Sequence, residues 1–467
     1  MAKENARRIF PPNMPLVMMI YLYNLLTILL LPLLVLFFLF SFFREKYRSR
    51  LFARLGLNLQ QQLPGPVLKK GATIWIHALS VGEVTSALPL IRGMRARFPE
   101  ASIVCSVSTR SGQRVAKLLL ASSCEAIIAS PLDLDPVIRL FCRQIKPSLF
   151  LLVETDFWPN WLHVLARAKV PLMLVNGRIS ARSFTKYQRF SFFFLPMFNT
   201  FSRLSMQTKA DAHKMAALGL EKKKILTLGN LKFDVAMVGD SADFLNKGAT
   251  ARKEYGFQDN KLLLICGSTH EGEEEVLLAV FAALRKTIPD LQLLMAPRNI
   301  ERAGELASLA GKNGLSWRLR STEKKAAKQA PRHVAATATD EGAVLLLDTL
   351  GELASCYAMA DLAFIGGTLV ARGGHNPIEA ARVGVAVCFG PHMEDFSEIA
   401  EEFIEAGAAR QIDEENIFVV FQDLLRHVDK LKAMGQAGRS CVARAGGVVE
   451  RHLDCIDALI GAQRKDE

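Results

Sequence analysis

The stretch IWIHALSVGEVTSALPLI, Ile74–Ile91, places an acidic side chain where an α/β protein would meet a ligand. It starts as an apolar run typical of a strand and ends in a helical pattern, and Glu83 lies in the turn between the two. In open α/β sheets, ligands bind at the carboxyl ends of the strands. Glu83 is therefore a candidate functional residue, although the helix dipole alone also favours an acid in a first helical turn.

The segment Phe364–Ala381, FIGGTLVARGGHNPIEAA, has the pattern of a phosphate-binding loop. An apolar strand is followed by two glycine pairs, Gly366–Gly367 and Gly373–Gly374, and then by a helix predicted to begin at Asn376 and Pro377. Glycine lets the backbone approach a ligand closely, and unpaired amides at a helix start attract anions. The loop is a candidate anion site, although glycine-rich turns of this kind also serve packing.

Other polar clusters give weaker signals. In CGSTHEGEEE the acids follow Ser268 and Thr269, and capping of a helix by either residue explains them. Asp133 and Asp135 form the Asp-x-Asp of metal-dependent sugar transferases, but such short matches are common, so no metal site is predicted. The chain contains no GxxxxGK[ST] loop, GxSxG elbow or recognisable nucleic-acid module, which argues against ordinary ATPases, hydrolases and nucleic-acid binding.

Two series of apolar runs must position these residues. Five candidate strands lie between Thr73 and Asn176, and five more lie between Leu262 and Gly390. Near-continuous apolar strands that alternate with helices indicate parallel sheets covered on both faces. The pattern predicts an α/β protein with two doubly wound, Rossmann-like domains, 51–240 and 241–467, which face one another across a cleft. A C-terminal helix is expected to be able to pack back on the first domain, and the basic stretch 321–333 is predicted to be a solvated loop.

Residues 1–50 are predicted to form an N-terminal membrane anchor. The segment 16–43 carries no charged side chain and is longer than the ~20 residues that a helix needs to cross a hydrocarbon core. A cleaved signal peptide would be shorter and would end in small residues, whereas this segment ends in Phe42 and Phe43. The denser basic cluster, REKYRSR, follows the span and predicts a cytoplasmic main body. The alternative is a buried core helix.

Composition restricts the class of protein further. A chain of 467 residues, half of them hydrophobic, has room for two or three domains. Its formal net charge of +12 favours an acidic partner, which could be nucleic acid, an anionic membrane or a phosphorylated substrate. The eight cysteines occur singly and form no CxxC pair, so a reducing compartment and no structural zinc are expected.

Nine longer motifs together resemble, in their order along the chain, the signatures of 3-deoxy-D-manno-octulosonic acid (Kdo) transferases. They are WIHALSVGEV, VETDFWPNW, VNGRISARSF, LGNLKFD, GSTHEGEEE, APRNIER, DTLGEL, GGTLVARGGHNPIEAA and GPHMEDF. The resemblance extends from the N-terminal anchor to about Phe396. It implies a two-domain glycosyltransferase fold of the B type (GT-B) and a single-pass anchor in the bacterial inner membrane, with the catalytic domains facing the cytoplasm. It also implies transfer of Kdo from CMP-Kdo to a tetraacylated lipid A precursor (lipid IVA) in lipopolysaccharide biosynthesis.

The resemblance implies three catalytic residues. Glu83 is implied to be the general base that removes the proton of the acceptor hydroxyl, a task for a carboxylate held within about 3 Å of it. Glu154 and Lys232 are implied to support the transition state. A lysine there would offset the negative charge of the departing phosphate or of the Kdo carboxylate. Glu154 could equally be a buried partner that organises the site. A single base suits direct displacement with inversion.

The resemblance also implies a set of residues that bind CMP in the second domain. These are Pro297, Arg298, Gly351, Glu352, Leu353, Asn376, Pro377, Ile378 and Glu379. Arg298 could supply a charge-assisted contact, the helix start at Asn376 could face the phosphate, and Glu379 could accept ribose hydroxyls. Because the leaving group is a nucleoside monophosphate, basic side chains and helix dipoles are expected to suffice. No metal and no other cofactor is expected.

The acceptor is expected to bind the first domain at the membrane. The segment 184–201 is rich in aromatic side chains and carries Lys186 and Arg189, a combination suited to lying against lipid while meeting phosphates. An ordinary buried helix is the alternative. The positive charge of the chain agrees with a bisphosphorylated lipid A precursor and with anionic inner-membrane lipid as partners.

Three residues differ from the pattern that is usual in the family. Asp156 stands where glutamate is common, Gly177 where alanine is common and Asn299 where histidine is usual. Asparagine still donates and accepts hydrogen bonds, so Asn299 is expected to alter donor affinity rather than abolish activity.

Two other functions are compatible with the sequence. The first alternative is a GT-B glycosyltransferase that uses a UDP-sugar, which competition between CMP and UDP would identify. The second is a membrane-tethered lipid-binding scaffold without turnover.

Overall fold

The chain folds into two compact units. The computed structural model describes residues 16–30, 45–63, 71–154, 156–237, 251–329 and 344–466. The N-terminal unit comprises residues 1–235 and 447–467, and the C-terminal unit comprises residues 236–446. Each contains a seven-stranded sheet in which all pairs of neighbouring strands are parallel. The prediction of two parallel-sheet α/β domains is confirmed.

The sheet of the N-terminal unit is doubly wound. Its strands are β1 (Thr73–Ala78), β2 (Ser102–Val107), β3 (Ala126–Ala129), β4 (Leu149–Val153), β5 (Leu172–Gly177), β6 (Arg203–Met206) and β7 (Ile225–Thr227). In space their order is β3-β2-β1-β4-β5-β6-β7. The order reverses between β1 and β4, which pair directly. A reversal of this kind opens a ligand crevice at the carboxyl ends of the two strands.

Helices connect and cover these strands. They are α1 (Leu16–Leu29), α2 (Glu45–Leu55), α3 (Leu59–Gln62), α4 (Val81–Arg97), α5 (Arg110–Leu119), α6 (Asp135–Ile145), α7 (Pro159–Arg167), α8 (Ala181–Arg189), α9 (Ser191–Phe198), α10 (Lys209–Ala217) and α11 (Lys232–Met237). Every residue of β1, β4 and β5 is buried, as expected for central strands with helices on both faces. The apolar residues therefore form the buried strands of the sheet, and the polar site residues lie in the turns that follow them.

The C-terminal unit repeats this design. Its strands are β8 (Leu263–Thr269), β9 (Gln292–Pro297), β10 (Trp317–Leu319), β11 (Val344–Leu346), β12 (Leu362–Ile365), β13 (Ala386–Phe389) and β14 (Ala409–Gln411), in the spatial order β10-β11-β9-β8-β12-β13-β14. Its helices are α12 (Glu273–Arg285), α13 (Ala303–Lys312), α14 (Arg320–Gln329), α15 (Leu353–Cys356), α16 (Ile378–Ala381), α17 (Ser397–Glu405), α18 (Ile417–Arg426) and α19 (Val428–Ala445). The switch point lies between β8 and β12.

The last helix of the chain, α20 (Val448–Asp466), belongs to the N-terminal unit. Its Val448, Leu453 and Ile456 are buried in the same hydrophobic core as Met94 of α4. The side chain of Asp234 accepts a hydrogen bond from the Val449 amide at 2.6 Å. Helix α20 therefore completes a core that was built by residues far earlier in the sequence.

Helix α1 packs one face on the N-terminal unit. Met19 and Ile20 are buried against Phe192 and Phe193 of α9. Large apolar side chains on the rest of the helix are exposed: Met18, Tyr21, Leu25, Leu26, Ile28 and Leu29. Within the described part of the chain, no helix combines the length and the apolar character needed to cross a bilayer. The rest of the predicted span, 31–43, lies outside the described residues.

Three local predictions are wrong. The stretch predicted as a solvated loop contains α14, which runs from Arg320 to Gln329. The helix predicted to begin at Asn376 begins at Ile378 and lasts a single turn. Helix α12 begins at Glu273 after Gly272, so neither Ser268 nor Thr269 caps it. The composition of these segments does not specify whether a helix forms or at which residue it begins.

Candidate functional site

Glu83 lies at the switch point of the N-terminal unit, in the first turn of α4. Ser80 caps the helix, and its hydroxyl oxygen accepts a hydrogen bond from the Glu83 amide. The Glu83 side chain turns back to accept a hydrogen bond from the Leu79 amide at 2.5 Å. Glu83 is 7% exposed. The sequence SVGE thus turns a carboxyl group back toward the carboxyl end of β1, because the Glu83 side chain accepts from an amide that precedes the helix while Ser80 caps it.

Burial and neighbouring acids control the protonation of Glu83. Burial raises its pKa from an ordinary 4.5 to about 8. The hydrogen bond from Leu79 acts in the opposite direction, and the charges of Glu154 and Asp156 raise the pKa further. A carboxyl group whose pKa lies near neutral pH can both take up and release a proton under cellular conditions. The geometry therefore fits a general base or acid at this position.

Glu154 stands directly after β4, beside Glu83, in a conformation uncommon for its type. Its φ angle is +62°, and its amide donates to the Val175 carbonyl at 2.8 Å. Burial raises the pKa of Glu154, while the charges of Lys232 and Arg178 and the amide of Asn176 favour its ionised form. The structure thus brings Glu83, Glu154 and Lys232 to the same end of one sheet.

Asn176 is a site residue that the sequence reasoning missed. It is fully buried near the end of β5 and has a φ of +58°. Its side-chain oxygen accepts a hydrogen bond from the Leu231 amide at 3.0 Å, next to Lys232, and its side chain also faces Glu154. Asn176 therefore joins the segments that carry the two charged residues. Its place in the motif VNGRISARSF, at a strand end, was the available signal.

In the C-terminal unit, Glu273 organises the glycine-rich loop after β12. Its buried carboxylate accepts hydrogen bonds from the amides of Gly367 at 2.7 Å and Thr368 at 3.2 Å. Gly367 has a φ of +71°, which glycine adopts without strain. Glu274, also buried, pairs with Arg302 at 2.6 Å. These acids were explained by helix capping from the sequence, but they hold the loop and the neighbouring strand end instead.

Two histidines meet beside this loop. The Nε2 atoms of His270 and His375 are 2.9 Å apart, and the rings are stacked with an interplanar angle of 5°. Burial and the charge of Arg298 lower the pKa of His375 to about 4, and burial with Arg372, Arg298 and Arg302 lowers the pKa of His270. An anion placed among these groups would be stabilised by the arginine charges.

The predicted donor residues Pro297, Arg298 and Gly351–Leu353 follow neighbouring strand ends. Pro297 is the last residue of β9, and the amide of Arg298, whose side chain is exposed, donates to the Thr269 carbonyl at 2.9 Å. Gly351, with a φ of +85°, Glu352 and Leu353 follow β11. Asn299 accepts a hydrogen bond from the Glu301 amide, so it caps the short helical turn Ile300–Arg302.

Glu352 is held by a network of its own unit. Tyr255 and Lys324 contact its Oε1 at 2.8 and 2.9 Å, and the Thr349 hydroxyl donates to its Oε2. Burial acts to raise the pKa of Glu352, but the hydrogen bonds from Lys324, Thr349 and Tyr255 lower it to about 2. The side chain is therefore an ionised carboxylate held in place by these three partners, and it anchors the loop that follows β11.

The run from Asn376 to Glu379 follows the second glycine pair. The Asn376 side chain accepts from the Ile378 amide at 3.1 Å, and Ile378 is fully buried. Burial raises the pKa of Glu379, which Arg382 and Asn376 oppose. The nine predicted donor residues thus lie at or beyond the carboxyl ends of three strands, β9, β11 and β12, of the same sheet.

The acids of the Asp-x-Asp sequence have structural partners. Asp133 accepts hydrogen bonds from the amides of Asn160 and Trp161 at 3.2 and 2.8 Å. Asp135 pairs with Arg139 at 2.6 Å. Among the described residues, no group of three or more His, Cys, Asp or Glu side chains is arranged to hold a metal ion.

Known proteins resemble this chain in sequence over most of its length. Residues 49–235 match the family described as 3-deoxy-D-manno-octulosonic-acid transferase (kdotransferase). The 3-deoxy-D-manno-octulosonic acid transferase of Haemophilus influenzae is 30% identical over 439 residues, which cover 93% of this chain and 97% of that protein. The transferase of the same description from Chlamydophila psittaci is 32% identical over 398 residues, 85% of this chain and 86% of that protein.

A solved structure supports the fold assignment independently. A glycosyltransferase from Rickettsia africae superposes with a TM-score of 0.53 at 10% sequence identity, covering 84% of this chain and 99% of that one. The pair of parallel-sheet units is thus that of GT-B glycosyltransferases. Because the sequence similarity to Kdo transferases extends over nearly the whole chain, the protein belongs to the Kdo transferase family of glycosyltransferases.

Proposed function

We propose that this enzyme transfers Kdo from CMP-Kdo to a tetraacylated lipid A precursor, with Glu83 as the general base. The observation that carries the proposal is the buried Glu83 carboxyl at the switch point, whose pKa burial raises to about 8. Family membership supports the sugar, since the relatives are described as Kdo transferases. A base whose pKa lies near the working pH gives efficient proton transfer.

In the proposed reaction the acceptor hydroxyl attacks the anomeric carbon of Kdo. The new carbon–oxygen bond forms as the bond to the CMP phosphate breaks, the phosphate leaves with the bonding electron pair, and Glu83 takes the hydroxyl proton. One direct displacement inverts the anomeric configuration. The carboxylate form of Glu83 is the active one, so the base has to lose its own proton before each turnover.

Lys232 and Glu154 are proposed to support the charge that develops in this step. The positive charge of Lys232 lowers the pKa of Glu154, which supports an interaction between the two side chains. A lysine held by a carboxylate has a fixed position and can offset negative charge on the Kdo carboxylate or the leaving phosphate. Glu154 then acts through Lys232 rather than on the substrate itself.

On the donor side we propose that the C-terminal unit binds the CMP group. Arg298, next to the histidine pair, would meet the phosphate, and the loop held by Glu273 would supply backbone amides. Because α16 is a single turn, a helix dipole contributes little there. Pro297, Gly351, Leu353 and the run 376–379 would line the nucleoside.

We also propose that the transfer needs no metal ion, because the leaving group is a monophosphate and cationic side chains stand near the donor loop. Arg298 and Arg372 both lower the pKa of His270, which supports positive charge near this loop, whereas Arg302 is paired with Glu274. Full activity in a chelator would support this arrangement. Loss of activity in the chelator and its recovery with magnesium would contradict it.

The proposed location is the cytoplasmic face of the inner membrane, with the acceptor taken from the bilayer. Exposed apolar side chains on α1 support lipid contact there, and the net charge of +12 suits an anionic membrane and a phosphorylated acceptor. In the segment 184–201, Phe198 and Phe201 are buried whereas Phe190 is 41% exposed, so only part of it can meet lipid.

Product mass tests the proposal directly. The purified full chain would be incubated with CMP-Kdo and a tetraacylated lipid A precursor, beside Glu83→Gln. We expect one or more Kdo additions by the native chain and a loss of about 10²–10⁴-fold in rate in the variant, with CMP binding retained. Preferential binding of UDP would favour a UDP-sugar donor, and lipid binding without any turnover would favour the scaffold. Full activity of the variant would remove Glu83 from the mechanism.

A further inference from the structure

A buried histidine that the mechanism above does not use lies in β1, the strand that precedes the proposed base. This residue, His77, has no exposed surface. Its Nε2 is 3.2 Å from Oδ2 of Asp156, on the loop that follows Glu154. We propose that His77 is a positioning residue whose Nε2–H holds the Asp156 carboxylate beside Glu83. The inference rests on the proposed function, because it assigns a support to the same base.

The contact with Asp156 requires a hydrogen on His77 Nε2, because a carboxylate oxygen 3.2 Å away can only accept, and the bonds at Nδ1 are compatible with this. Trp75 Nε1 can only donate, so Ser106 Oγ, 3.0 Å away, accepts this bond. The hydroxyl hydrogen of Ser106 is then available to His77 Nδ1, also at 3.0 Å. A neutral ring that accepts at Nδ1 carries its hydrogen on Nε2. A protonated ring, which would donate from Nδ1 to the Ser106 carbonyl at 3.0 Å, carries a hydrogen on Nε2 as well.

The surroundings keep the ring in this orientation. The His77 ring lies 4.6 Å, between centroids, from that of Trp161. Its Nε2 also lies 3.4 Å from Ser108 Oγ, which bonds to Ser130 Oγ at 2.9 Å. Asp156, in contrast, is on a loop and its side chain keeps 15% of its surface exposed. A fixed donor therefore restrains a carboxylate that could otherwise turn to water.

The position of Asp156 matters because its charge acts on Glu83. The groups that act on Glu83 are the Leu79 amide, the Ser80 hydroxyl and the carboxylates of Glu154 and Asp156. Among the described residues, the charge of Asp156 acts on Arg54 and Asp133 as well as on Glu83. A negative charge near a carboxyl group disfavours its ionisation. Fixing Asp156 near Glu83 thus helps to keep the pKa of the base high.

The test is a direct titration of Glu83 in the full-length protein without substrate. Carbon-13 NMR of protein with labelled glutamate carboxyls would follow the resonance that is absent in Glu83→Gln. We expect Asp156→Asn to lower the midpoint by about 0.5–1 pH unit. His77→Asn should lower it too, because Asp156 is released. In the Asp156→Asn background His77→Asn should add no further shift, since it acts through that carboxylate.

Two variants serve as controls. His77→Gln, whose amide can donate from near the position of Nε2, should retain most of the wild-type midpoint. His452→Asn removes another fully buried histidine of the same unit, which bonds to Ser205 at 2.8 Å and to the Val448 carbonyl, and should leave Glu83 unchanged. An equal shift in His452→Asn would show a general effect of lost packing and would overturn the proposal.

Two further outcomes would also overturn it. One is an unchanged midpoint in His77→Asn while Asp156→Asn shifts. The other is an undiminished effect of His77→Asn when Asp156 is already asparagine. If His77→Asn does not fold, the other two variants decide. An unshifted Glu83 midpoint in Asp156→Asn would contradict the proposal. A midpoint in His77→Gln that is lowered as far as in Asp156→Asn would contradict it as well. Since no substrate is present, a failure of Kdo transfer would leave this titration result intact.

Discussion

At the scale of single residues, the strand ends that carry the site contain uncommon backbone conformations and buried acidic side chains. Three residues other than glycine with positive φ angles, Glu154, Asn176 and Ser268, stand at the carboxyl ends of β4, β5 and β8. Such conformations are unfavourable for these residue types and persist where the surrounding structure imposes them. A sequence can reveal an acid after a strand, as it did for Glu83. It cannot reveal the burial that changes its pKa, because the burial comes from segments distant in the chain.

The pH dependence of catalysis follows from the pKa of Glu83. The carboxylate form is the active base, so kcat/KM should rise with pH and level off above about 8. Rate measurements between pH 5.5 and about 9.5, with saturating CMP-Kdo and lipid acceptor well below saturation, would check this. The small residual activity of Glu83→Gln should lack the same inflection. A wild-type profile that is flat between about pH 6 and 9 would argue against Glu83 as the base.

The raised pKa of Glu83 also makes the free energy of unfolding depend on pH. Stability should fall as the pH rises, whereas activity should increase. The folded state binds the Glu83 proton more tightly than the unfolded state, whose carboxyl has the ordinary pKa of 4.5. This contribution to the free energy of unfolding is complete below about pH 4.5 and is lost as the pH rises through about 8. Glu83→Gln, which cannot ionise, should therefore gain stability relative to wild type as the pH rises from 5 to 8.5, as urea unfolding would measure. A constant difference across this range would contradict the raised pKa.

At the scale of elements, the sequence predicted ten strands and missed four short ones, three of which lie at a sheet edge. All ten predicted runs contain a strand, whereas β6, β7, β10 and β14 were not predicted. These four strands are three or four residues long, and β7, β10 and β14 are largely exposed or half-buried. An edge strand is covered less completely, so its residues need not be uniformly apolar. The acids after β8 were assigned to capping because their acceptor role depends on a loop almost a hundred residues later.

Glu273→Gln should weaken donor binding by disturbing the glycine-rich loop. Glutamine would turn an amide group toward the Gly367 or Thr368 amide, leaving a buried donor without a partner at a cost of about 1–3 kcal/mol. A tenfold or larger loss of CMP affinity, measured by calorimetry, is expected if this cost falls on the bound state. Glu275→Gln, an exposed acid in the same helical turn, is the matched control. Equal affinities of the two variants would show that the loop does not bind CMP.

The contact between α1 and α7 should stabilise the N-terminal unit. Asn24 and Asn160 exchange side-chain hydrogen bonds of 3.0 and 2.8 Å, and Asn160 is fully buried. Asn24→Ala would leave the Asn160 carbonyl unsatisfied and should cost about 1–3 kcal/mol. Leu25→Ala, on the exposed face of the same helix, should cost much less. Denaturant unfolding in detergent would compare them, and equal losses would show that the amide pair contributes little.

At the scale of the whole molecule, the chain order and the folded units do not coincide. The break in the apolar pattern predicts a boundary between residues 240 and 241, and the first segment of the N-terminal unit ends at Val235. The return of α20 to the N-terminal unit depends on contacts that a local pattern cannot specify. Its Arg451 donates to the Leu228 carbonyl at 3.0 Å, and His452 bonds to Ser205 at 2.8 Å. The sequence predicted this helix and allowed for its packing on the first domain, whereas the individual contacts that hold it there come from the structure.

Truncation after Gly446 should separate the stabilities of the two units. It removes Val448, Leu453, Ile456 and Ile460, all buried in the core of the N-terminal unit. At about 2 kcal/mol for each buried side chain, the loss of about 8 kcal/mol is comparable to the whole stability of a typical domain. Hydrogen exchange should then show loss of protection in β1 and α4, while β8 and β12 stay protected and CMP still binds. Truncation after Gln463, which keeps the buried part of α20, is the control. If β1 and α4 keep their protection in the shorter chain, α20 is not required for the core of the N-terminal unit.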